Sequence, residues 1–306
     1  MNPGARRETQ ATGQNVRLES RVPRPESASV PLFDAYAPQQ IAVRVRDVGV
    51  AKATAPVLTT LALAVLAGAF ISLGALFYTV TVTDAAGGPA APSGLTRLAG
   101  GVAFSLGLIL VVVGGAELFT GNNLIAMAWA AGRLSSGQVL RNWIWVYVGN
   151  LLGALGTVAL VLLAGIHQLG DGALGETAVR IARAKAGLDP LEALARGILC
   201  NVLVCLAVWL CMGARSVTDK ILAIVFPISA FVACGFEHSI ANMYFLPVGL
   251  ALTASGASPI SLGDVITNLE LVTLGNILGG TVLVAMVYWF VYLRQEGKGL
   301  EASGER

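Results

Sequence analysis

Long charge-free apolar runs alternate with short polar punctuation over most of the chain. The runs are Ala53–Thr83, Leu98–Ala116, Leu118–Gly132, Asn142–Gly170, Gly197–Ala214, Ile221–Phe236, Ser239 to about Ala254, and Leu271–Leu293. A membrane-spanning helix needs about 20 mostly apolar residues. Joining the second run to the third across Glu117, and the sixth to the seventh across Glu237-His238, predicts six spans. The second and fifth of these carry an internal charge. Ahead of them, residues 1–37 are rich in Arg, Pro, Glu and Ser and read as a disordered tail. Over residues 38–55, Ile41, Val45 and Val48 share one helical face, which predicts a short amphipathic helix leading into the first span. The segment 166–196 is mixed in polarity, and its Asp189-Pro190-Leu191-Glu192 reads as a helix start. The organisation expected is therefore tail, amphipathic helix, a six-span domain over 56–294, and a second tail over 295–306.

Composition agrees with the pattern. Only 12% of the 306 residues are charged, 55% are hydrophobic, and the mean hydropathy is +0.72. Globular domains carry about 25% charge, so a soluble enzyme, a secreted disulfide scaffold and a disordered chain are excluded. Cys200, Cys205, Cys211 and Cys234 all lie in apolar runs without a Cys-x-x-Cys pair, and read as small buried hydrophobes. No metal set or cofactor motif is evident, and the net charge of +2 gives no reason to expect a nucleic-acid partner. No apolar signal-peptide core stands in the first fifty residues.

Six spans place both termini on one side. That side holds fifteen Lys and Arg residues and the other five: Arg97, Arg180, Arg183, Lys185 and Arg196. The positive-inside rule then assigns both termini to the cytoplasm. Trp143, Trp145 and Tyr147 open the third span, and Tyr288, Trp289 and Tyr292 close the sixth, which suggests an aromatic belt at one interface.

The two halves repeat. Gly115-Ala-Glu117-Leu-Phe-Thr-Gly-Asn122 and Gly235-Phe-Glu237-His-Ser-Ile-Ala-Asn242 both read G-x-E-x-x-x-x-N. Gly149-Asn150-Leu-Leu-Gly153 and Gly275-Asn276-Ile-Leu-Gly279 both read G-N-[LI]-L-G. Each half then holds three spans, so the second enters the membrane inverted, and the shared interruptions point to a site near the midplane. The fold class expected is an all-α membrane protein of two inverted three-helix repeats with broken second and fifth helices.

Glu117 and Glu237 are ionisable groups inside apolar runs, a costly placement that marks either function or structural support. Each acid either braces its break by accepting backbone N–H groups or meets a solute directly. His238 is unique, because its repeat partner is Leu118. Its ordinary pKa of about 6.5 permits a change of charge near neutrality, which suits passage of a weak-acid anion. Asn122, Asn150, Asn201, Asn242 and Asn276 either brace the helices or, for Asn201 together with Thr120, line a path. Phe104, Leu108, Leu118 and Phe231 flank the breaks and are candidates for apolar constrictions that exclude hydrated ions. Lys185 is either a solvated charge or a lure for anions at the mouth. A catalytic constellation is absent: His238-Ser239 are adjacent and make no nucleophile–base pair. An aquaporin-like channel for neutral solutes predicts Asn-Pro-Ala at both breaks, and neither has it.

These strings, together with Gly197-Ile-Leu-Cys-Asn201-Val-Leu-Val-Cys-Leu-Ala-Val-Trp209 and Gly235-Phe-Glu237-His238-Ser-Ile-Ala-Asn242-Met243, resemble the formate/nitrite transporter family from about Pro38 to Arg294. The resemblance implies an aquaporin-like protomer fold, a homopentamer with one pore per protomer, and an inner-membrane location. The solutes implied are formate, nitrite or hydrosulfide, with or without a proton. It implies that His238 is the central histidine, that Thr120 faces it across the pore, and that Asn276 is a partner for the solute at the central site. It further implies that Asn201 and Lys185 belong to the outer vestibule. Leu108, Leu118 and Phe231 would form one constriction, with Phe104 near another. Glu117, Glu237, Asn122 and Asn242 would support the loops. Phe236 and Met243-Tyr-Phe-Leu-Pro247 resemble formate-type members and Glu117-Leu-Phe-Thr-Gly121 nitrite-type ones; formate is the solute expected first.

Overall fold

The computed structural model describes residues 34–83, 93–254 and 259–294. The expected tails over 1–37 and 295–306 therefore lie outside the described residues, apart from positions 34–37. All regular structure described is helical and belongs to one unit, Ala35–Arg306.

The amphipathic pattern over 38–55 forms α1 (Pro38–Thr54), with Ile41, Ala42, Val45, Gly49 and Ala53 buried on one face. The first apolar runs form α2 (Val57–Thr83) and α3 (Gly94–Gly114). After α3 the chain is irregular until a 3-10 turn at Gly121–Ile125 and the short α4 (Ala126–Ala130). Next come α5 (Ser136–Leu163), α6 (Ala173–Ala186), α7 (Pro190–Gly213), α8 (Val217–Ala233) and α9 (Ser239–Thr253). A last rod begins as α10 (Leu262–Ile277), loosens into a π-helical stretch at Leu278–Met286, and ends as α11 (Val287–Tyr292).

Five described helices are long and apolar enough to cross a membrane: α2, α3, α5, α7 and the rod Leu262–Tyr292. The chain is a multi-pass membrane protein. The fifth expected span is divided, as its internal charge suggested, into α8 and α9, of 17 and 15 residues. Both breaks begin at a glycine. Gly115 ends α3 at φ 80° and Gly235 follows α8 at φ 72°, the left-handed conformation that closes a helix C-terminus.

Helix starts follow capping chemistry. Asp189 caps α7 as its sequence suggested, with Oδ1 accepting from Leu191 N at 3.0 Å. Ser135 and Gln138 close a capping box on α5: Gln138 N donates to Ser135 Oγ at 3.3 Å and Ser135 N to Gln138 Oε1 at 2.9 Å.

Close backbone approach holds the helices together. In membranes such contacts depend on small residues, because lipid tails offer no hydrophobic drive between helices. A Cβ at Gly153 of α5 would overlap the Val65 carbonyl of α2, and one at Gly279 would overlap the Ile198 carbonyl of α7. Both glycines close a G-N-[LI]-L-G string, so the motif marks one contact made twice.

Three expectations change. The segment 166–196 holds a whole helix, α6, which its mixed polarity hid: Leu174, Thr177, Ala178 and Ala182 are buried, while Glu176, Arg180, Arg183 and Ala184 are exposed. The aromatic belt is incomplete. Trp143 and Tyr147 turn inward onto Phe119, with ring centroids 6.1 and 5.0 Å away, and Tyr288 stacks on Trp209 at 4.0 Å. Cys200, Cys205 and Cys211 are buried as expected, but Cys234, at the end of α8, is exposed.

Candidate functional site

The two breaks are built from closely similar bonds. At the first, Lys52 of α1 lies 2.9 Å from Glu117 Oε1 and donates to Asn122 Oδ1 at 2.9 Å. Asn122 Nδ2 donates to Glu117 Oε2 at 2.6 Å and to Asn142 Oδ1 at 3.0 Å, and Asn142 Nδ2 donates to Lys52 O at 3.1 Å. At the second, Lys185 of α6 donates to Glu237 Oε1 and Oε2 at 2.9 and 3.1 Å. Asn242 Nδ2 donates to Glu237 Oε2 at 2.7 Å and to Asn268 Oδ1 at 2.8 Å, and Asn268 Nδ2 donates to Lys185 O at 2.9 Å. Each circuit neutralises one carboxylate and ties a short helix to its break. Buried charges persist only when paired and hydrogen-bonded in this way.

A second pair of braces holds the loop backbones. Asn150 Nδ2 donates to Ala64 O and Glu117 O at 2.8 and 2.9 Å, while its Oδ1 accepts from Phe119 N at 3.0 Å. Asn276 Nδ2 donates to Gly197 O and Glu237 O at 2.8 and 3.0 Å, while its Oδ1 accepts from Ser239 N at 2.9 Å. Backbone freed by a broken helix has to be satisfied inside the protein at membrane depth, and one asparagine per loop does this. Asn276, expected beside the central histidine as a solute partner, has its amide fully committed as a brace. Lys185 likewise is neither solvated nor a free cation. It pairs with Glu237, whose side chain is 5% exposed. Glu117 and Glu237, expected either to accept backbone N–H groups or to meet a solute, instead accept from the side chains of Lys52 and Asn122 and of Lys185 and Asn242.

The loops diverge between the shared Gly, Glu and Asn, and two of the differences bring polar side chains together. Where the first loop has Leu118 and Thr120, the second has His238 and Ile240. The two polar side chains meet: Thr120 Oγ1 lies 3.0 Å from His238 Nε2. His238 also caps α9, its Nδ1 accepting from Ala241 N at 3.0 Å. A ring nitrogen that accepts carries no proton, so the proton of the neutral imidazole sits on Nε2 and is donated to Thr120 Oγ1. The Thr120 hydroxyl hydrogen is then left for another acceptor. Phe231 stacks on the imidazole at 5.9 Å and meets Phe104 edge-on at 5.6 Å.

A cavity lies on each side of this pair. One, of about 190 Å³, is lined by Lys52, Leu108, Gly115, Glu117, Leu118 and Asn122 among others. The other, of about 80 Å³, is lined by Tyr78, Phe104, Lys185, Phe231, Glu237 and His238 among others. They share no lining residue. Phe231, expected with Leu108 and Leu118, is thus grouped with Phe104 on the Lys185 side. Thr120 is fully buried between them. Asn201 sits behind Thr120, with Nδ2 donating to Thr120 O at 3.3 Å, to Asn123 Oδ1 at 3.3 Å and to Asn276 O at 2.6 Å. It lines neither cavity, and its outer-vestibule placement is corrected to a support of the central loop.

Sequence reasoning missed Lys52, Asn142, Asn268 and Tyr78. The first three carried a signal. Ala51-Lys52-Ala53 matches Ala184-Lys185-Ala186, and Asn142 and Asn268 each stand seven residues before the G-N asparagine's glycine, so both strings read N-x6-G-N-[LI]-L-G. The repeat therefore includes α1 and α6 as well as the long helices. Among the described residues no group of three or more His, Cys, Asp or Glu is arranged to hold a metal ion.

Comparison with known proteins follows the same residues. The formate/nitrite transporter family matches residues 39–290. The formate channel FocA of Escherichia coli K12 is 44% identical over 278 residues, covering 86% of this chain and 96% of that one. FocA of Haemophilus influenzae is 42% identical over 236 residues, covering 72% and 82%. A solved pentameric formate channel with formate bound superposes with a TM-score of 0.71 at 42% identity, covering 78% of this chain and 98% of that one.

Proposed function

The chain belongs to the formate/nitrite transporter family, and we propose that it is a pore for small monovalent weak-acid anions, formate first. The observation that carries this reading is the His238–Thr120 pair, buried between two cavities that share no wall. The proposed protomer has six spans, α8 and α9 counting as one broken span, in two inverted repeats of aquaporin-like form. The recurring circuits around Lys52 and Lys185 support the repeat. The proposed assembly is a homopentamer in the inner membrane with both termini cytoplasmic. The pentameric relative supports the first, and the Lys and Arg bias supports the last.

The chemistry follows from desolvation. A bare anion loses its hydration in an apolar passage, a cost far larger than one hydrogen bond returns. The rings of Phe104 and Phe231 and the side chains of Leu108 and Leu118 present such a passage. At its centre the Thr120 hydroxyl, whose oxygen accepts from His238 Nε2–H and whose hydrogen is uncommitted, is the donor for one small anion. A proton joining that anion gives the neutral acid, which leaves across the second apolar barrier at lower cost. Formate is preferred because the relatives that match most of the chain are formate channels and transporters.

Proteoliposomes loaded with a pH dye test the reading. Formate, nitrite and hydrosulfide are supplied side by side. Formate-led uptake with internal acidification supports it. Nitrite or hydrosulfide leading overturns the choice of solute. Uptake of a neutral solute such as glycerol with none of the three anions moves the protein to the aquaporin-like alternative.

A further inference from the structure

The 80 Å³ cavity has one polar group that neither circuit uses. Of the side chains lining it, Phe104, Ile181, Phe231, Val232, Phe236, Ala241 and Phe245 are apolar. Glu237 is an acceptor, shared between Lys185 and Asn242. Both ring nitrogens of His238 are engaged, by Thr120 and by Ala241 N. Lys185 directs two of its three N–H groups at Glu237. The remaining group is the phenol of Tyr78 on α2, whose hydroxyl makes no hydrogen bond among the described residues.

The ring of Tyr78 is held firmly. It meets Phe245 edge-on at 5.9 Å. On the other side it rests on Gly100 of α3, where a Cβ would stand 2.8 Å from its Cδ2 and 2.9 Å from its Cε2. Only a residue without a side chain at 100 leaves the ring its place. A rigid ring with an uncommitted hydroxyl, in a small cavity that His238 also lines, is a preorganised donor.

We propose that Tyr78 is a specificity-determining residue. Its hydroxyl donates to a carboxylate or other oxyanion in the Lys185-side cavity and selects oxygen acceptors over hydrosulfide. The inference rests on the pore reading above and adds a contact to it. The selectivity follows from acceptor chemistry: anionic oxygens take short, strong O–H bonds, whereas sulfur is a weak acceptor. Lys185 alone gives no such discrimination, because its charge is largely answered by Glu237.

The test is Tyr78→Phe in the full chain, reconstituted in proteoliposomes, with initial uptake of formate and hydrosulfide measured over a range of concentrations. The expected result is a rise of roughly tenfold in the formate concentration for half-maximal uptake, the loss of one hydrogen bond to a charged group, with hydrosulfide uptake unchanged. Unchanged formate dependence overturns the proposal. So does a parallel fall in both solutes, which makes the residue structural. Wild-type protein run alongside separates the two readings: if it moves no formate, the pore reading fails whatever the variant does.

Discussion

At the scale of single residues, His238 does two jobs, and the usual alanine test confounds them. Its Nδ1 caps α9 while its Nε2 meets Thr120. Replacing a capping side chain by alanine costs about 1 kcal/mol, so His238→Ala loses stability as well as the imidazole. Asparagine is among the best capping residues and does not titrate. His238→Asn is therefore expected to keep the wild-type thermal midpoint and to weaken the response of formate uptake to pH. An asparagine variant with the wild-type pH profile removes the imidazole from the mechanism. That His238 stands apart was legible in the sequence, since its repeat partner is Leu118. Its capping bond was not, because a histidine before a Ser-Ile-Ala run carries no capping signature. The roles of Asn276 and Asn201 were illegible for a related reason. A buried amide that faces a pore and one that holds a loop occupy the same kind of apolar run, and only their partners tell them apart.

At the scale of elements, the short helices α1 and α6 act as latches, each fastening one break through a lysine. The two latches differ in burial. The Lys185 and Glu237 side chains are 16% and 5% exposed, those of Lys52 and Glu117 28% and 12%. Removing one partner of a buried pair strands the other charge, a loss of about 3 kcal/mol or more that shrinks as solvent reaches the site. Lys185→Met is thus expected to lower the thermal midpoint more than Lys52→Met. Adding Glu237→Gln to Lys185→Met is expected to restore part of the loss, as a double-mutant cycle would register. Equal effects from the two lysines would contradict the burial order. The glycines allow a sharper comparison on one helix. Gly153→Ala drives a methyl into the Val65 carbonyl, whereas a Cβ at Gly156 meets nothing within 4 Å. The first is expected to cost about 1–3 kcal/mol and the second to be neutral or mildly stabilising, read as detergent-solubilised melting curves. Both G-N-[LI]-L-G strings were plain in the sequence, and so were the breaks. The α6 latch was not, since a helix that buries one narrow face among charged residues looks like a loop when hydropathy is averaged.

At the scale of the whole molecule, a symmetric frame holds an asymmetric centre. The asparagine braces, lysine latches and close-packed glycines recur in both halves. Tyr147 of α5 and its counterpart Thr273 of α10 even hydrogen-bond to each other, at 3.0 Å. The frame can therefore hold both breaks still while the side chains between them diverge. The divergence is concentrated where the two cavities approach: Leu108 and Leu118 face one, Phe104, Phe231 and His238 the other. In the proposed pore these side chains form the septum between the two cavities. A narrow apolar passage excludes acetate by size, and it excludes chloride because the anion of a strong acid takes up no proton and has to cross fully charged. Leu118→Ala removes one wall and Phe231→Ala another, and neither side chain takes part in the His238–Thr120 hydrogen bond or in the lysine circuits. Each variant is expected to admit acetate at several times the wild-type rate relative to formate. The double variant is expected to pass chloride, measured as current across a planar bilayer. Variants that remain assembled with wild-type acetate-to-formate ratios would show that selection lies elsewhere. Loss of selectivity with pH dependence intact would separate the two functions of the centre, the septum setting size and hydration and the imidazole setting the response to protons.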